Sequence, residues 1–210
     1  MTIIVHHLEE SRSQRILWLL EELGAAYDVK RYGRNPQTRL APPELKQVHP
    51  LGKSPVIEVN GKVLAESAAI IEYLAENEAF GALAVAPGDA ARFDYLYWLH
   101  FAEGSAMLPL LLKLYVGMLG ENGAPLMQMR IEPEIDNHFS FINAHLQGRD
   151  YFVGDRFTAA DIQMSFVLDA GNNRGGLDRY PNLVRVRKLH QSRPAYQRAL
   201  ERGGPYKMGE

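Results

Sequence analysis

The sequence predicts an α+β domain followed by an all-α domain, and three observations support this fold class. Over the first 79 residues, short β-rich runs and helical patterns alternate in the order β-α-β-α-β-β-α. Asn60-Gly61 is the dipeptide best suited to a two-residue hairpin turn. From Ala90 onward the apolar spacing is helical throughout. We therefore expect domains at 1–79 and 90–210, joined by a Gly-, Ala- and Pro-rich linker at 80–89.

The first strand is predicted at Thr2 to Val5, because this run is rich in β-branched residues. A polar elbow from His6 to Arg12 then leads into a helix that ends at Gly24. A second strand is expected at Tyr27 to Arg31, and a short helix at Glu44 to Val48. Two leading β-α units of this kind form a parallel core with right-handed crossovers.

The segment from His49 to Leu74 contains the most closely spaced signals in the chain. Val56 to Val59 and Val63 to Ala65 are predicted strands on either side of the Asn-Gly turn, so the hairpin adds an antiparallel edge. Glu66-Ser67 precedes an amphipathic helical pattern, which places Ser67 where it caps or opens that helix. Unpaired N–H groups at such a helix start attract an anion.

Pro55 lies at the start of the first hairpin strand, where a cis Ser54-Pro55 bond is plausible. Val56 would then offer its backbone N–H and C=O to an extended ligand, as an edge strand does. The whole segment therefore predicts a binding site for a small acidic peptide-like molecule.

The second domain is predicted to be helical along its length. Helices are expected at Ala90 to Gly117, Pro125 to Gln147, Thr158 to Ala170 and Pro181 to Arg202. Thr158 and Asp161 have the spacing of a capping box, which is a structural signal without a chemical role.

Composition excludes several classes of function. The formal charge of −2 and the lack of a long Lys/Arg run argue against nucleic-acid binding. The longest apolar stretch, Met107 to Met118, is too short to span a membrane, and the first residues do not resemble a secretory signal. The chain has no cysteine, which removes disulfides and thiolate metal sites. We expect a cytoplasmic protein without a bound metal.

Several motifs resemble those of the soluble glutathione transferases of the theta-like and bacterial serine type. They are SRSQRILWLLEEL at 11–23, HPLGKSPV at 49–56, AESAAIIEYL at 65–74, FTAADI at 157–162 and RPAYQRAL at 193–200. The resemblance covers nearly the whole chain. It implies a thioredoxin-like, glutathione-binding first domain and a helical-bundle second domain that lines the electrophile site. It also implies a homodimer.

The resemblance assigns roles to the residues around the hairpin. Pro55 corresponds to the family's cis-proline, and the Val56 backbone would pair with the cysteinyl unit of glutathione. Glu66 would face the α-amine, while the Ser67 hydroxyl and the helix N-terminus would hold the γ-glutamyl carboxylate. Lys53 is the expected cation for the glycyl carboxylate.

Two further glutathione contacts are implied less directly. Relatives often carry a His or Lys near the position of Leu40 and Ala41, and this chain does not, so Arg39 is the expected substitute. In many relatives an acidic residue on the long helix of the partner subunit reaches the γ-glutamyl amine, and Glu103 is the matching residue here.

The reaction would be attack by the glutathione sulfur, whose free thiol has a pKa of about 8.5 and is only slightly ionised at pH 7. Ser11 is the expected hydrogen-bond donor to the thiolate, because it lies four residues before Arg15, as in serine-type members. Ser13 is the alternative. His6 or His7 is a third, less favoured choice, and as strand neighbours these two side chains point to opposite faces and form a poor metal clamp.

The electrophile site is expected along the long helix of the second domain. Its predicted lining residues are Tyr97, Phe101, Met107 and Tyr115, which are apolar and adaptable. The expected function is conjugation of glutathione to small hydrophobic electrophiles. The alternatives are a glutathione-dependent disulfide reductase or peroxidase, and a non-catalytic binding protein with the same fold.

Overall fold

The computed structural model of the chain describes residues 2–78, 83–120 and 125–210. The chain divides into two compact units: Met1–Ala86 together with Gln191–Glu210, and Pro87–His190. The end of the chain therefore packs with the first unit, whereas the sequence groups it with the helical domain. Residues 80–82 of the expected linker lie outside the described residues. None of the described helices is both long and apolar enough to cross a membrane.

The first unit contains a four-stranded mixed sheet in the order β2-β1-β3-β4. The strands are β1 (Ile3–Leu8), β2 (Asp28–Tyr32), β3 (Val56–Val59) and β4 (Lys62–Ala65), and the helices between them are α1 (Ser13–Leu23), α2 (Leu45–Val48) and α3 (Ser67–Glu78). The pair β1/β2 is parallel, and the pairs β1/β3 and β3/β4 are antiparallel. The predicted order and the antiparallel hairpin are confirmed.

Strand β1 is longer than the sequence predicts, because it continues through His6 and His7 to Leu8. Both histidines are paired in register with β2 and are almost completely buried. Buried polar groups are tolerated when they are hydrogen-bonded, and both imidazoles have side-chain partners. The prediction that the elbow begins at His6 was therefore wrong, and the elbow is limited to residues 9–12.

Helix α1 forms the central packing element of the first unit. Its residues from Ser13 to Leu20 are buried, and its end is closed by Gly24 in the left-handed conformation (φ 62°). A left-handed residue at this position is easiest for glycine, as the sequence predicts.

The described residues of the second unit form helices joined by loops and contain no strand. Its helices are α4 (Arg92–Phe101), α5 (Met107–Gly117), α6 (Pro125–His145), α7 (Ala159–Arg174) and α8, which runs from Pro181 to Gln191 at the boundary with the first unit. A π-helical segment at Ala102–Ala106 separates α4 from α5. The predicted capping box is present at α7, where the Thr158 N–H donates to Asp161 Oδ2 at 2.8 Å. Its Asp161 carboxylate is fully buried.

The single helix predicted from Pro181 to Arg202 is wrong, because the structure contains two helices there. Helix α9 (Pro194–Gly203) begins after Arg193, which adopts an extended backbone (φ −70°, ψ 133°). Proline lacks an N–H and disfavours helical geometry in the residue before it, so Pro194 ends the helical run and starts a new one.

Helix α9 packs against α1. Arg193 binds Glu22 through two hydrogen bonds, Nε to Oε1 at 2.6 Å and Nη2 to Oε2 at 2.9 Å. The rings of Trp18 and Tyr196 meet edge to face, with centroids 5.1 Å apart. Aromatic burial and a bidentate ion pair together hold the end of the chain on the first unit.

We expect Tyr196→Ala to lower the free energy of unfolding by about 3 kcal/mol, since removal of a buried aromatic ring leaves a cavity. Urea titration monitored by tryptophan fluorescence measures this change. Glu201→Ala, at an exposed position of the same helix, is the control and should change the stability by less than about 0.5 kcal/mol. Equal effects of the two substitutions would show that α9 is not packed as described.

Candidate functional site

Three serine hydroxyls meet where the elbow after β1 approaches the loop before β3. The Oγ of Ser11 lies 2.7 Å from the Oγ of Ser13 and 3.5 Å from the Oγ of Ser54. The backbone N–H of Ser13 also donates to the Ser11 Oγ at 3.2 Å. Ser11 therefore lies at the N-terminus of α1, where unpaired N–H groups and the helix dipole favour negative charge.

Ser54 connects this cluster to the end of β1. Its hydroxyl donates to the His6 carbonyl at 2.9 Å and accepts the Leu8 N–H at 3.3 Å. The peptide bond between Ser54 and Pro55 is cis. The loop that carries Pro55 is thus bonded to the last residues of β1, directly beside the elbow.

The elbow is also held by charged side chains. Arg34 donates from Nε to the Glu9 carbonyl at 3.0 Å and from Nη2 to the Glu10 carbonyl at 3.0 Å. The Glu10 carboxylate accepts the backbone N–H groups of Lys207 and Met208, at 2.6 and 3.0 Å. These bonds fix the backbone that positions Ser11.

The two candidate serines differ in exposure. Ser11 is 6% exposed and Ser13 is fully buried. The Ser13 hydroxyl is 2.9 Å from His7 Nδ1 and 3.3 Å from the Leu8 carbonyl oxygen. All the contacts of the Ser13 hydroxyl are therefore directed into the protein.

The two histidines of β1 have separate partners. His7 is 4% exposed, and burial, with a smaller contribution from the Arg31 guanidinium, lowers its pKa from 6.5 to about 4. The ring is therefore neutral at pH 7. His6 is hydrogen-bonded to the Tyr32 hydroxyl at 2.8 Å and to a Glu58 carboxylate oxygen at 2.9 Å.

The start of α3 carries the acid-serine pair. Ser67 is 5% exposed, and its hydroxyl accepts from Arg15 Nη1 at 3.4 Å. Glu66 is exposed and has a positive φ of 71°, which is unusual for a residue other than glycine. Its carbonyl accepts the Ile70 N–H at 2.9 Å, the first helical bond of α3.

The remaining predicted glutathione contacts have different surroundings. Lys53 is exposed on the loop before the cis bond. Arg39 is exposed and lies 3.8 Å from a Glu9 carboxylate oxygen. Val56 is the first residue of β3, which has β1 on one side and β4 on the other. The comparison of this strand with an edge strand was therefore wrong, because its hydrogen-bonding sides face neighbouring strands.

The predicted electrophile-site residues all lie in the second unit. Tyr97 and Phe101 stack with their ring centroids 5.5 Å apart, and both contact Trp98 edge-on. Tyr97 and Tyr115 are exposed, at 39% and 59%, whereas Met107 is buried. Glu103 lies in the π-helical segment between α4 and α5.

Sequence reasoning assigned no role to Arg15 or Ser54. Arg15 is 1% exposed, and its charge directly precedes the apolar run from Ile16 to Leu20, which is a detectable signal in the sequence. Ser54 gives no signal beyond its position before a proline, because its contacts lie 46 and 48 residues away in the chain.

Comparison with known proteins identifies the family. The model of the glutathione S-transferase N-terminal domain matches residues 2–76, and that of the C-terminal domain matches residues 105–194. Glutathione S-transferase 3 of Schizosaccharomyces pombe is 36% identical, over 95% of this chain and 87% of that protein. This chain belongs to the glutathione S-transferase family.

Solved structures of family members have the same fold. A glutathione S-transferase from Actinobacillus pleuropneumoniae is 33% identical with a TM-score of 0.89, over 99% of this chain and 96% of that one. A sphingomonad glutathione S-transferase, solved in complex with glutathione, is 25% identical with a TM-score of 0.77, over 97% and 99% of the two chains. The prediction of a glutathione transferase with an α+β domain followed by a helical domain is confirmed.

The low pKa of His7 predicts a pH-dependent stability. Because the native state resists protonation of His7, stability should fall as the pH drops from about 6.5 to about 4, by about 3 kcal/mol from this group. The free energy of unfolding of the wild type and of His7→Leu should be compared at several pH values in this range. The variant should lose less stability on acidification, and equal losses would contradict a buried neutral histidine.

Proposed function

We propose that this protein activates the thiol of glutathione and transfers the thiolate to small hydrophobic electrophiles. The observation that carries the proposal is the contact of Ser11 with Ser54, which places a helix-terminal hydroxyl beside the cis-proline loop. The sphingomonad relative binds glutathione, which supports glutathione as the co-substrate here. In the reaction the S–H bond is broken, and the sulfur forms a bond to an electrophilic atom of the second substrate.

Ser11 is the proposed donor to the thiolate. Its hydroxyl is more exposed than that of Ser13, and it lies at the helix N-terminus, whose partial positive charge also favours an anion. Ser13 has no exposed surface, so a ligand cannot reach its hydroxyl without rearrangement of the elbow. A hydrogen bond to an ionised group contributes about 1.5–3 kcal/mol, enough to lower a thiol pKa by one to two units.

The γ-glutamyl end of glutathione would bind at the start of α3. Ser67 and the backbone N–H groups there would hold the carboxylate, and the buried Arg15 adds a positive charge at the same place. Glu66 would face the α-amine. Its unusual backbone conformation supports a functional role, because such conformations cluster at binding sites.

Ser11 lies two residues before α1, and Arg15 is the third residue of this helix. The sites for the sulfur and for the γ-glutamyl carboxylate would therefore lie side by side along the start of α1, as an extended peptide requires. Lys53 would bind the glycyl carboxylate. Arg39 would also bind this carboxylate while it stays in contact with Glu9.

The second unit would supply the electrophile site. Tyr97, Phe101 and Tyr115 would offer apolar surface to the electrophile. Met107 is buried and would support these side chains from the core. Glu103 would reach the γ-glutamyl amine of the partner subunit in a homodimer. A cytoplasmic location stays a prediction from the sequence, and the family resemblance implies a role in detoxification.

A reductase is the second candidate function. The chain has no cysteine, so reduction of a disulfide or hydroperoxide would need two glutathione molecules rather than a mixed disulfide with the protein. Rates with a chlorinated aromatic, a disulfide and a hydroperoxide, measured side by side, separate the two reactions. A rate with the aromatic substrate well above the other two supports conjugation.

We expect Ser11→Ala to raise the pKa of bound glutathione toward 8.5 and to lower kcat/KM at pH 6.5 about tenfold or more. Titration of the ultraviolet absorbance of the thiolate in the complex measures the pKa. Ser192→Ala, at an exposed position between α8 and α9, is the control and should match the wild type. An unchanged thiol pKa in Ser11→Ala would remove Ser11 from this role.

Substitution of Ser67 tests the γ-glutamyl site separately from the thiol site. We expect Ser67→Ala to weaken glutathione binding about tenfold, because a hydrogen bond to a carboxylate is lost. The thiol pKa of the bound molecule should stay as in the wild type. Calorimetric titration measures the affinity, and a shifted thiol pKa with normal affinity would contradict the assignment.

A further inference from the structure

His7 belongs to a hydrogen-bonded chain that ends at Ser11. The chain runs from His7 Nδ1 to the Ser13 hydroxyl at 2.9 Å, and from there to the Ser11 hydroxyl at 2.7 Å. All three residues are at most 6% exposed, so water does not compete strongly for these contacts. Which group donates in each contact decides where the Ser11 proton points.

The tautomer of His7 follows from its contact with α9. Nε2 lies on the side of Gly203, 3.2 Å from the place where a Cβ of that residue would be. The hydrogen bond with the Gly203 backbone favours the protonated ring, so the ring donates and the carbonyl accepts. The proton of the neutral ring is therefore assigned to Nε2, and Nδ1 is an acceptor.

The charged groups around His7 keep the ring neutral. Arg31 of β2 is paired with His7 in the sheet and donates from Nε to the Arg202 carbonyl at 2.8 Å, at the end of α9. The burial of His7 and, to a smaller extent, the positive charge of Arg31 lower the pKa of the ring more than the Gly203 hydrogen bond and Glu9 raise it. From α1 the ring faces Ser13, which is uncharged.

These assignments determine which group donates in each hydrogen bond between His7, Ser13 and Ser11. The Ser13 hydroxyl has one proton, and the nearest acceptor other than Ser11 is His7 Nδ1, since the Leu8 carbonyl is farther away at 3.3 Å. When Ser13 donates to His7, only the Ser11 proton can fill the 2.7 Å contact between the two serines, and this contact is much shorter than the alternative in which Ser11 donates to the Ser54 Oγ at 3.5 Å. Ser11 then presents a lone pair, and not a proton, to an incoming sulfur.

We propose that His7 is a positioning residue that, through Ser13, holds the Ser11 proton away from the glutathione sulfur and so weakens the thiolate. The inference rests on the proposed function, in which Ser11 donates to the thiolate. To do so, Ser11 must turn its proton away from Ser13, which leaves two oxygen atoms 2.7 Å apart with no proton between them. Thiolate formation therefore costs one hydrogen bond in the elbow.

Two substitutions make the Ser11 proton available for a hydrogen bond to the glutathione sulfur, each by a different change. His7→Leu removes the acceptor, so Ser13 can donate to Ser11. Ser13→Ala removes the group to which Ser11 donates. In each variant we expect the acid dissociation constant of bound glutathione to rise about fivefold, the effect of one neutral hydrogen bond. The double variant should match the single ones, because both act on the same proton.

His7→Asn is the matched control, since it keeps an acceptor oxygen near the position of Nδ1 and should keep the wild-type constant. Titration of thiolate absorbance gives the constant, and calorimetry gives the affinity for glutathione. A purely structural role would weaken binding without raising the constant. An unchanged or lowered constant in both single variants, or a rise in Ser13→Ala alone, would overturn the proposal.

Ser11→Ala separates this proposal from the function on which it rests. If Ser11→Ala lowers the acid dissociation constant while His7→Leu and Ser13→Ala leave it unchanged, Ser11 stabilises the thiolate and His7 has no influence. If Ser11→Ala has no effect, the proposed role of Ser11 fails instead. Should His7→Leu not fold, His7→Phe takes its place, because a phenyl ring keeps the shape of the imidazole and gives the Ser13 hydroxyl no acceptor nitrogen. The proposal requires a raised constant in this variant and the wild-type constant in His7→Asn.

Discussion

The hydrogen bonds of Ser54 to the end of β1 are the constraint on which the candidate site depends. Strand β3 begins only at Val56, because Pro55 has no N–H to donate to the ladder. In place of a backbone bond, the Ser54 side chain forms hydrogen bonds with the His6 carbonyl and the Leu8 N–H. The proline loop is thereby held beside the elbow, which contains Ser11.

Two buried side chains, those of Arg15 and His7, determine where this region carries positive charge and where it is neutral. A guanidinium group keeps its proton in proteins, so Arg15 carries a fixed positive charge, which it directs toward the start of α3. His7 responds to burial in the opposite way and becomes neutral. The first unit therefore combines a fixed positive charge for a carboxylate with a neutral acceptor behind the proposed catalytic serine.

The sequence predicted the features that depend on local chemistry. The Asn-Gly hairpin, the left-handed Gly24 and the capping box at Asp161 need only neighbouring residues. It did not predict that β1 continues to Leu8 with His6 and His7 buried, because the side chains that bond to these histidines are distant in the sequence or belong to another element. Spacing along the chain does not show a contact between Tyr32 and His6.

The most direct measurement is the position of the glutathione sulfur in a crystal structure of the complex. The sulfur should lie within hydrogen-bonding distance of the Ser11 Oγ, with the γ-glutamyl carboxylate at Ser67 and the start of α3. A sulfur bound away from Ser11, with the elbow unchanged, would contradict the assignment of this hydroxyl as the group that stabilises the thiolate.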